Sequence, residues 1–100
     1  MLRLRLHPEA EAEAFDAATC IKADDFQQGV LFVQALEDAL VWARTQPLIF
    51  RCFDGKFRKA RLGKFRYSLV FRLRDQEIQV IAVMHMSRKP GYWKNRRQSF

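Results

Sequence analysis

The chain has 100 residues, of which 49% are hydrophobic and 13% aromatic, and its formal net charge is +7. This length predicts a single domain over residues 1–100, and the composition supports one core without disulfides, which argues against disorder of the whole chain. No apolar run approaches the roughly 20 residues that cross a bilayer, and the first residues lack a secretory pattern, so we expect a cytoplasmic protein.

The two cysteines, Cys20 and Cys52, are 32 positions apart and form no CxxC pair. We expect each to be a buried or half-buried free thiol. A zinc site would also need His7 and His85, and no two of these four residues are closely spaced. The sequence therefore predicts neither a metal site nor another cofactor.

The charge is divided unequally between the two halves of the chain. Residues 1–50 contain four Lys/Arg and eight Asp/Glu, a net charge of −4, whereas residues 51–100 contain fourteen and three, a net charge of +11. Such segregation predicts a basic surface that attracts a polyanion, either nucleic acid or an acidic protein segment. A basic face that serves only solvation is the alternative.

The first fifty residues predict one strand and two helices. Leu2 to Leu6 alternates apolar and basic residues, which is the period of a half-buried strand. Pro8 suits the first turn of a helix, and Ala10, Ala14, Ala17, Ala18 and Ile21 follow at helical spacing, with Glu9, Glu11, Glu13 and Asp16 mostly on the other side.

Asp24-Asp25 is a plausible start for the second helix, and Pro47 ends it. Its main apolar stripe contains Gly29, Phe32, Val33, Leu36, Ala39, Leu40 and Ala43. Val30, Leu31, Val41 and Trp42 widen the stripe, which favours either a helix buried on two sides or a groove that accepts another chain. The short connection predicts a helical hairpin.

The second half reads as strands. Asp54-Gly55 marks a turn, and strands are predicted at 57–62, 67–74 and 77–85. The last strand is almost wholly apolar and therefore lies inside the sheet. Pro90-Gly91 breaks the sheet before a short C-terminal turn or helix, and residues 98–100 are expected to fray. The order β-α-α-β-β-β predicts an α+β fold with the helical hairpin packed on a mainly antiparallel sheet.

Three segments resemble the RelE/ParE superfamily of type II toxin–antitoxin systems. They are the second helix with its closing proline, Phe32 to Pro47; RKARLGKFRYSLVF, Arg58 to Phe71; and EIQVIAVMHMSRKPGYW, Glu77 to Trp93. Similar proteins are often named plasmid stabilisation proteins.

The resemblance implies a small basic toxin that is held inactive in a hetero-oligomer by a cognate antitoxin with an acidic, partly disordered segment. RelE-like members cleave mRNA on the ribosome, whereas ParE-like members poison DNA gyrase and cut nothing themselves. RelE-like nucleases usually place an arginine after the tyrosine that begins the middle strand. Ser68 follows Tyr67 here, which favours ParE-like gyrase inhibition.

Under the RelE-like alternative, metal-free RNA cleavage needs a base, an acid and cations that stabilise the charge on phosphorus. The candidates are His85 as base or acid, Arg61 and Arg88 as charge stabilisers, and Tyr92 as acid or stacking group. His85 could equally be a strand-end residue bonded to a neighbouring loop.

The remaining candidates are binding residues. Those predicted to contact nucleic acid or another target are Lys59, Lys64, Arg66, Arg72, Arg74, Lys89, Trp93, Lys94, Arg96 and Arg97. Tyr92 and Trp93 could instead hold the last turn on the sheet. Trp42, Arg58 and Arg61 are predicted to contact the antitoxin. A non-toxic basic domain that binds nucleic acid is a third possibility.

Overall fold

The computed structural model describes residues 2–100, which form two α-helices and a five-stranded sheet. In chain order the elements are β1 (Arg3–Leu6), α1 (Pro8–Asp24), α2 (Phe26–Thr45), β2 (Cys52–Asp54), β3 (Phe57–Arg61), β4 (Tyr67–Arg74) and β5 (Glu77–His85). Short 3-10 turns at Pro47–Ile49 and Lys94–Arg96 follow α2 and β5. The predicted α+β class, the early helices and the C-terminal turn are confirmed.

β2 was not predicted from the sequence. A turn was predicted at Asp54-Gly55, and that turn is present, with a positive φ of 59° at Gly55. The turn joins β2 and β3 into a hairpin, in which Cys52 is paired with Arg58 and Asp54 with Phe57. Three residues are too few to display a strand period, so β2 could not be read from its pattern.

A single residue, Asp25, connects the two helices. Its backbone N–H donates to the carbonyl of Ile21 at the end of α1, and its carboxylate accepts from the N–H of Gln28 in the first turn of α2. A Cβ at Gly29 would lie 2.0 Å from Cγ of Lys22, so only glycine allows this close approach. The local chemistry therefore specifies a tight helical hairpin.

The strand order in the sheet is β1-β5-β4-β3-β2. β1 is parallel to β5, and the other three pairings are antiparallel. The mainly antiparallel sheet and the interior position of β5 were both predicted. Asp75 and Gln76 join β4 to β5 with φ values of 53° and 63°, which is the geometry of a tight two-residue hairpin turn.

The sheet has a core on each side. The helices cover one side, where Phe32 packs on Leu69 and Phe71. The segment after β5 covers part of the other side, where Trp93 packs on Phe57 and Val70. β5 contributes Ile78, Val80 and Val83 to the core under the helices and Ile81, Ala82 and Met84 to the other core, which explains why its sequence is mostly apolar.

A bulge in β5 changes which of its side chains face the core beneath Trp93. Val70 of β4 pairs with Ala82, but the next residue, Phe71, pairs with Val80, so Ile81 is an extra residue in β5. Ile81 and Ala82 consequently both belong to the core beneath Trp93. The bulge thereby supplies additional apolar surface for the C-terminal segment.

Several burial predictions were wrong. Cys20 and Cys52 are both exposed free thiols. The second helix is not buried on two sides, because Val30, Leu31, Val41 and Trp42 are all about half exposed.

The chain end is also more ordered than expected. Phe100 packs edge-on against His7, with ring centroids 5.5 Å apart, so the end of the chain lies against the folded domain. None of the helices within residues 2–100 has the length and apolar character required to cross a bilayer.

Candidate functional site

The main cavity lies on the side of the sheet that faces away from the helices. It has a volume of about 620 Å³ and opens between β3, β4 and the segment after β5. Its lining residues are Phe53, Asp54, Lys59, Arg61, Ser68, Met84, Met86, Arg88, Pro90, Gly91 and Trp93. We call this cavity the basic cleft.

Alternation along β3 directs Lys59 and Arg61 into the basic cleft, because Ala60 between them is buried under the helices. The ammonium of Lys59 lies 4.9 Å from the ring centroid of Phe53, a cation–π contact that holds it at the rim. Asp54 also lines the cleft, but its carboxylate is 3.0 Å from the ammonium of Lys94. The cleft therefore presents positive charge beside apolar and thioether groups.

His85 does not face the basic cleft. Met84 lines the cleft, and the next residue of a strand points to the opposite side of the sheet. His85 accordingly lies edge-on to Tyr67, with ring centroids 4.8 Å apart, in a separate depression that also contains Glu13 and Cys20. The backbone N–H of Ser87 donates to its Nδ1 over 3.0 Å, as expected for a strand-end residue bonded to a neighbouring loop.

Tyr92 is bound to a carboxylate of α1. Its hydroxyl donates to Oε2 of Glu13 over 2.7 Å. Burial, together with the hydrogen bond and the charge of Glu13, raises the pKa of Tyr92 far above its usual range. A tyrosine in this state holds its proton, so it is poorly suited to donate it to a leaving group.

Arg88 is the candidate that lies between the basic cleft and the depression of His85. Its guanidinium carbon lies 3.8 Å from the ring centroid of Tyr92, and its nearest nitrogen is 3.9 Å from the Glu13 carboxylate. It lines the basic cleft and also the depression of His85. Of the four nuclease candidates, the structure brings Arg61 and Arg88 to one cavity and leaves His85 on the other side of the sheet.

Two predicted binding residues are buried. The Trp93 side chain is 1% exposed and packs against Phe57, so its indole cannot stack on a base without leaving the core. Arg96 is 7% exposed, and its guanidinium is bound to Glu13. Both residues therefore hold the C-terminal segment in place, and we correct their predicted role in contacting a target.

The other predicted cations are accessible but lie in different places. Lys64 and Arg66 are exposed in the β3–β4 turn, and Lys89 is exposed in the turn after β5. Lys94 is engaged with Asp54. Arg72, Arg74 and Arg97 lie together around a second depression, at the end of β4 away from the basic cleft.

The predicted antitoxin contacts lie near a groove between α2 and β3. This groove has a volume of about 240 Å³, and Trp42, Phe50 and Arg61 are among its lining residues. Trp42 is 52% exposed at its edge. Arg58 lies nearby and donates to the backbone carbonyl of Phe50, so this cation is partly committed to the fold. Arg61 borders both the groove and the basic cleft.

Comparison with known families agrees with this architecture. The family described as the ParE toxin of the parDE type II toxin–antitoxin system matches residues 4–90. This chain belongs to the ParE toxin family. No curated protein matches it significantly. Membership implies an antitoxin partner.

Sequence reasoning missed one central residue of this ParE-family toxin. Glu13 was placed on the polar side of α1, yet its side chain is only 17% exposed and binds Tyr92, Arg96 and the backbone N–H of Val83. The sequence does place Glu13 on the buried face of α1. The i, i+3, i+4, i+7 spacing of one helix face is followed by Ala10, Glu13, Ala14 and Ala17. An acidic residue on a buried stripe indicates a buried cationic partner.

Among residues 2–100, no three His, Cys, Asp or Glu side chains are grouped closely enough to hold a metal ion. The basic cleft supplies guanidinium and ammonium donors suited to carboxylate or phosphate groups.

Proposed function

We propose that this ParE-family toxin inhibits growth by binding DNA gyrase through the basic cleft, without itself cleaving nucleic acid. The observation that carries the proposal is the separation of His85 from Arg61: Arg61 lines the basic cleft and the groove between α2 and β3, whereas His85 lies in a different depression beside α1. The occupied hydroxyl of Tyr92 and the serine after Tyr67 give further support. Gyrase acts on chromosomal DNA, so the proposal requires a cytoplasmic protein.

Cleavage of RNA would require proton transfer in the cleft. Cleavage at a ribose 2′-hydroxyl needs a base and an acid within hydrogen-bonding reach of the same phosphate. Around the cleft, Lys59, Arg61 and Arg88 supply positive charge, and Asp54 is paired with Lys94. Positive charge binds an anionic surface, whereas in this cleft the proton transfers would fall to the Lys59 ammonium with no histidine beside it.

The second candidate is a RelE-like, ribosome-dependent endoribonuclease. The observation in its favour is Arg88, which lines the cleft with Arg61 and also borders the depression of His85. A substrate that wraps around the end of β5 could contact all three residues. Family membership speaks against the third possibility, a non-toxic domain that binds nucleic acid.

The deciding experiment has two arms. In the first, purified gyrase supercoils a relaxed plasmid in the presence of increasing toxin, and we expect inhibition. In the second, mRNA is mapped in cells after induction of the toxin, and we expect intact transcripts together with DNA damage. Rapid codon-biased cuts with unimpaired gyrase would replace this proposal with the nuclease.

We further propose that the antitoxin neutralises the toxin by placing an acidic, apolar-rich segment in the groove between α2 and β3. Trp42 offers an exposed aromatic surface there, and Arg61, with the partly engaged Arg58, offers positive charge. Because Arg61 also borders the basic cleft, a segment bound in the groove would compete with the target for this cation.

A further inference from the structure

A second depression lies on the side of the sheet that contains the basic cleft. It has a volume of about 400 Å³ and is lined by four arginines, Arg5, Arg72, Arg74 and Arg97, with Asp75, Gln79, Gln98 and Phe100 completing the wall. We call the four arginines the arginine cup. They come from β1, β4 and the C-terminal segment, so only the folded chain brings them together.

Arg72, at the centre of the cup, is held rigidly. Its Nε donates to the side-chain oxygen of Gln79 over 2.8 Å, and its Nη2 donates to the carbonyl of Arg97 over 3.0 Å. The rings of Phe57 and Phe100 lie 5.3 Å and 5.6 Å from its guanidinium carbon. Such fixation removes most of the side-chain entropy that an arginine would otherwise lose on binding a ligand.

The positive charge of the cup is incompletely balanced. Of its two neighbouring carboxylates, Glu77 lies 2.7 Å from Arg5, whereas Asp75 is 3.9 Å from Arg74 and almost fully exposed. Four cations and two anions leave a net charge of +2. Burial, and then repulsion from Arg74 and Arg97, lowers the pKa of Arg72. Holding like charges together costs free energy that a bound anion would offset.

The chemistry of the wall selects the kind of anion. An antitoxin-like segment buries apolar side chains when it folds on its partner, and the exposed apolar residues Trp42, Leu48 and Ile49 lie elsewhere, on and after α2. The cup offers mainly guanidinium donors, whose planar geometry matches carboxylate and phosphate oxygens alike, so the lack of a large apolar surface beside the cup decides between them. The sugar–phosphate backbone of a nucleic acid carries a charge at every phosphate, so it can bind here without an apolar surface beside the site.

We propose that the arginine cup is a phosphate-binding site that takes the sugar–phosphate backbone of nucleic acid. Ser68 in the basic cleft and Arg72 in the cup share one face of β4, and four residues of a strand separate them by about 13 Å. One polyanion strand can therefore contact the cup and the cleft together. The site does not depend on which target the toxin inhibits.

The test measures binding of the purified chain to two labelled probes by fluorescence anisotropy. The probes are a duplex DNA of about 20 base pairs and a single-stranded RNA of similar length, titrated from roughly 50 to 200 mM salt. The cup variant is Arg74→Gln with Arg97→Gln, two exposed residues. The matched control is Lys22→Gln with Arg51→Gln, outside the cup and cleft. Each pair lowers the net charge from +7 to +5.

If both arginines contact phosphates, the slope of log K against log salt falls in magnitude by about 1.8 for the duplex and about 1.4 for the single strand in the cup variant, and stays unchanged in the control. Loss for duplex DNA alone assigns the site to DNA, and loss for both probes assigns it to the backbone of either nucleic acid. Equal losses in the two variants, or none in the cup variant, would overturn the proposal.

Poly-glutamate is the third ligand in the test. If it binds in a cup-dependent way and more tightly than both nucleic acids, the partner is an acidic protein and the proposal fails. Thermal unfolding followed by circular dichroism checks that both variants are folded. Should the double variant unfold, Arg97→Gln is compared with Arg51→Gln, with an expected change in slope of about 1.

Discussion

The carboxylate of Glu13 in α1 and the guanidinium of Arg96 near the C-terminus form a two-bonded pair. Nη1 donates to Oε1 over 2.9 Å, and Nη2 donates to Oε2 over 3.1 Å. The side chains are 17% and 8% exposed, so the pair is largely shielded from water. It fastens the segment after β5 to the first helix, and this segment supplies the wall of the basic cleft.

Replacing Glu13 by glutamine should therefore destabilise the protein. The variant removes one charge and leaves Arg96 buried, with the mostly exposed Glu9 as its nearest remaining carboxylate, 3.6 Å away. Removal of one partner from a buried pair costs about 3 to 5 kcal/mol in free energy of unfolding. Urea denaturation measures this quantity.

The control for this variant is Glu11→Gln, an exposed position on the same helix. We expect it to change the free energy of unfolding by less than about 0.5 kcal/mol. Replacing Arg96 by methionine in the Glu13→Gln background should restore part of the loss, because no buried charge then remains unpaired. Equal effects of Glu11→Gln and Glu13→Gln would contradict this role of the pair.

A second prediction concerns acid stability. Hydrogen bonds from Arg5 and Gln79 lower the pKa of Glu77 below its usual 4.5. A carboxyl with a lowered folded-state pKa contributes stability that is present above 4.5 and is lost as the pH falls through the folded value. Urea midpoints between pH 6 and pH 3 should thus fall less in Glu77→Gln than in the wild type. An unchanged pH dependence would show that Glu77 does not make this contribution.

The fold was largely readable from the sequence because its signals are local. Pro8 and Asp25 mark helix starts, and the alternation over 67–74 marks β4, each through contacts within a few residues. The bulge at Ile81 was not predictable, since it depends on the register between β4 and β5 and on packing beneath Trp93.

The site was less readable because its parts are distant in the chain. Composition located the positive charge. It did not show that Arg61 and His85 line separate cavities, which depends on the register of β3 and β5 relative to the helices. Arg5 was assigned no binding role, although the parallel pairing of β1 with β5 brings it beside Gln79 and Arg72. Long-range pairing of this kind leaves no local sequence signal.

The third prediction separates binding from catalysis. Under the gyrase proposal, Arg61→Ala combined with Arg88→Ala should raise the toxin concentration needed for half-inhibition of supercoiling by about tenfold or more, because each charged hydrogen bond contributes over 1 kcal/mol. His85→Ala should leave inhibition unchanged, since its ring lies in a separate depression beside α1 that Arg61 does not line. Loss of toxicity in His85→Ala with a stable fold would instead support the nuclease.

The fourth prediction concerns neutralisation. Trp42 is half exposed beside the groove between α2 and β3, so an antitoxin segment that covers it would bury a large aromatic surface. Trp42→Ala should weaken antitoxin binding by about 2 kcal/mol, or roughly 30-fold, and leave inhibition of the target unchanged. Isothermal titration with the antitoxin measures the affinity.

The matched control is Phe26→Ala, which removes an exposed aromatic ring about 160° around the same helix. Because that ring lies far from the groove, its loss should change antitoxin affinity by less than about threefold. Equal affinity of the wild type and Trp42→Ala would remove Trp42 from the interface. A larger loss in Phe26→Ala would move the antitoxin to the other side of α2.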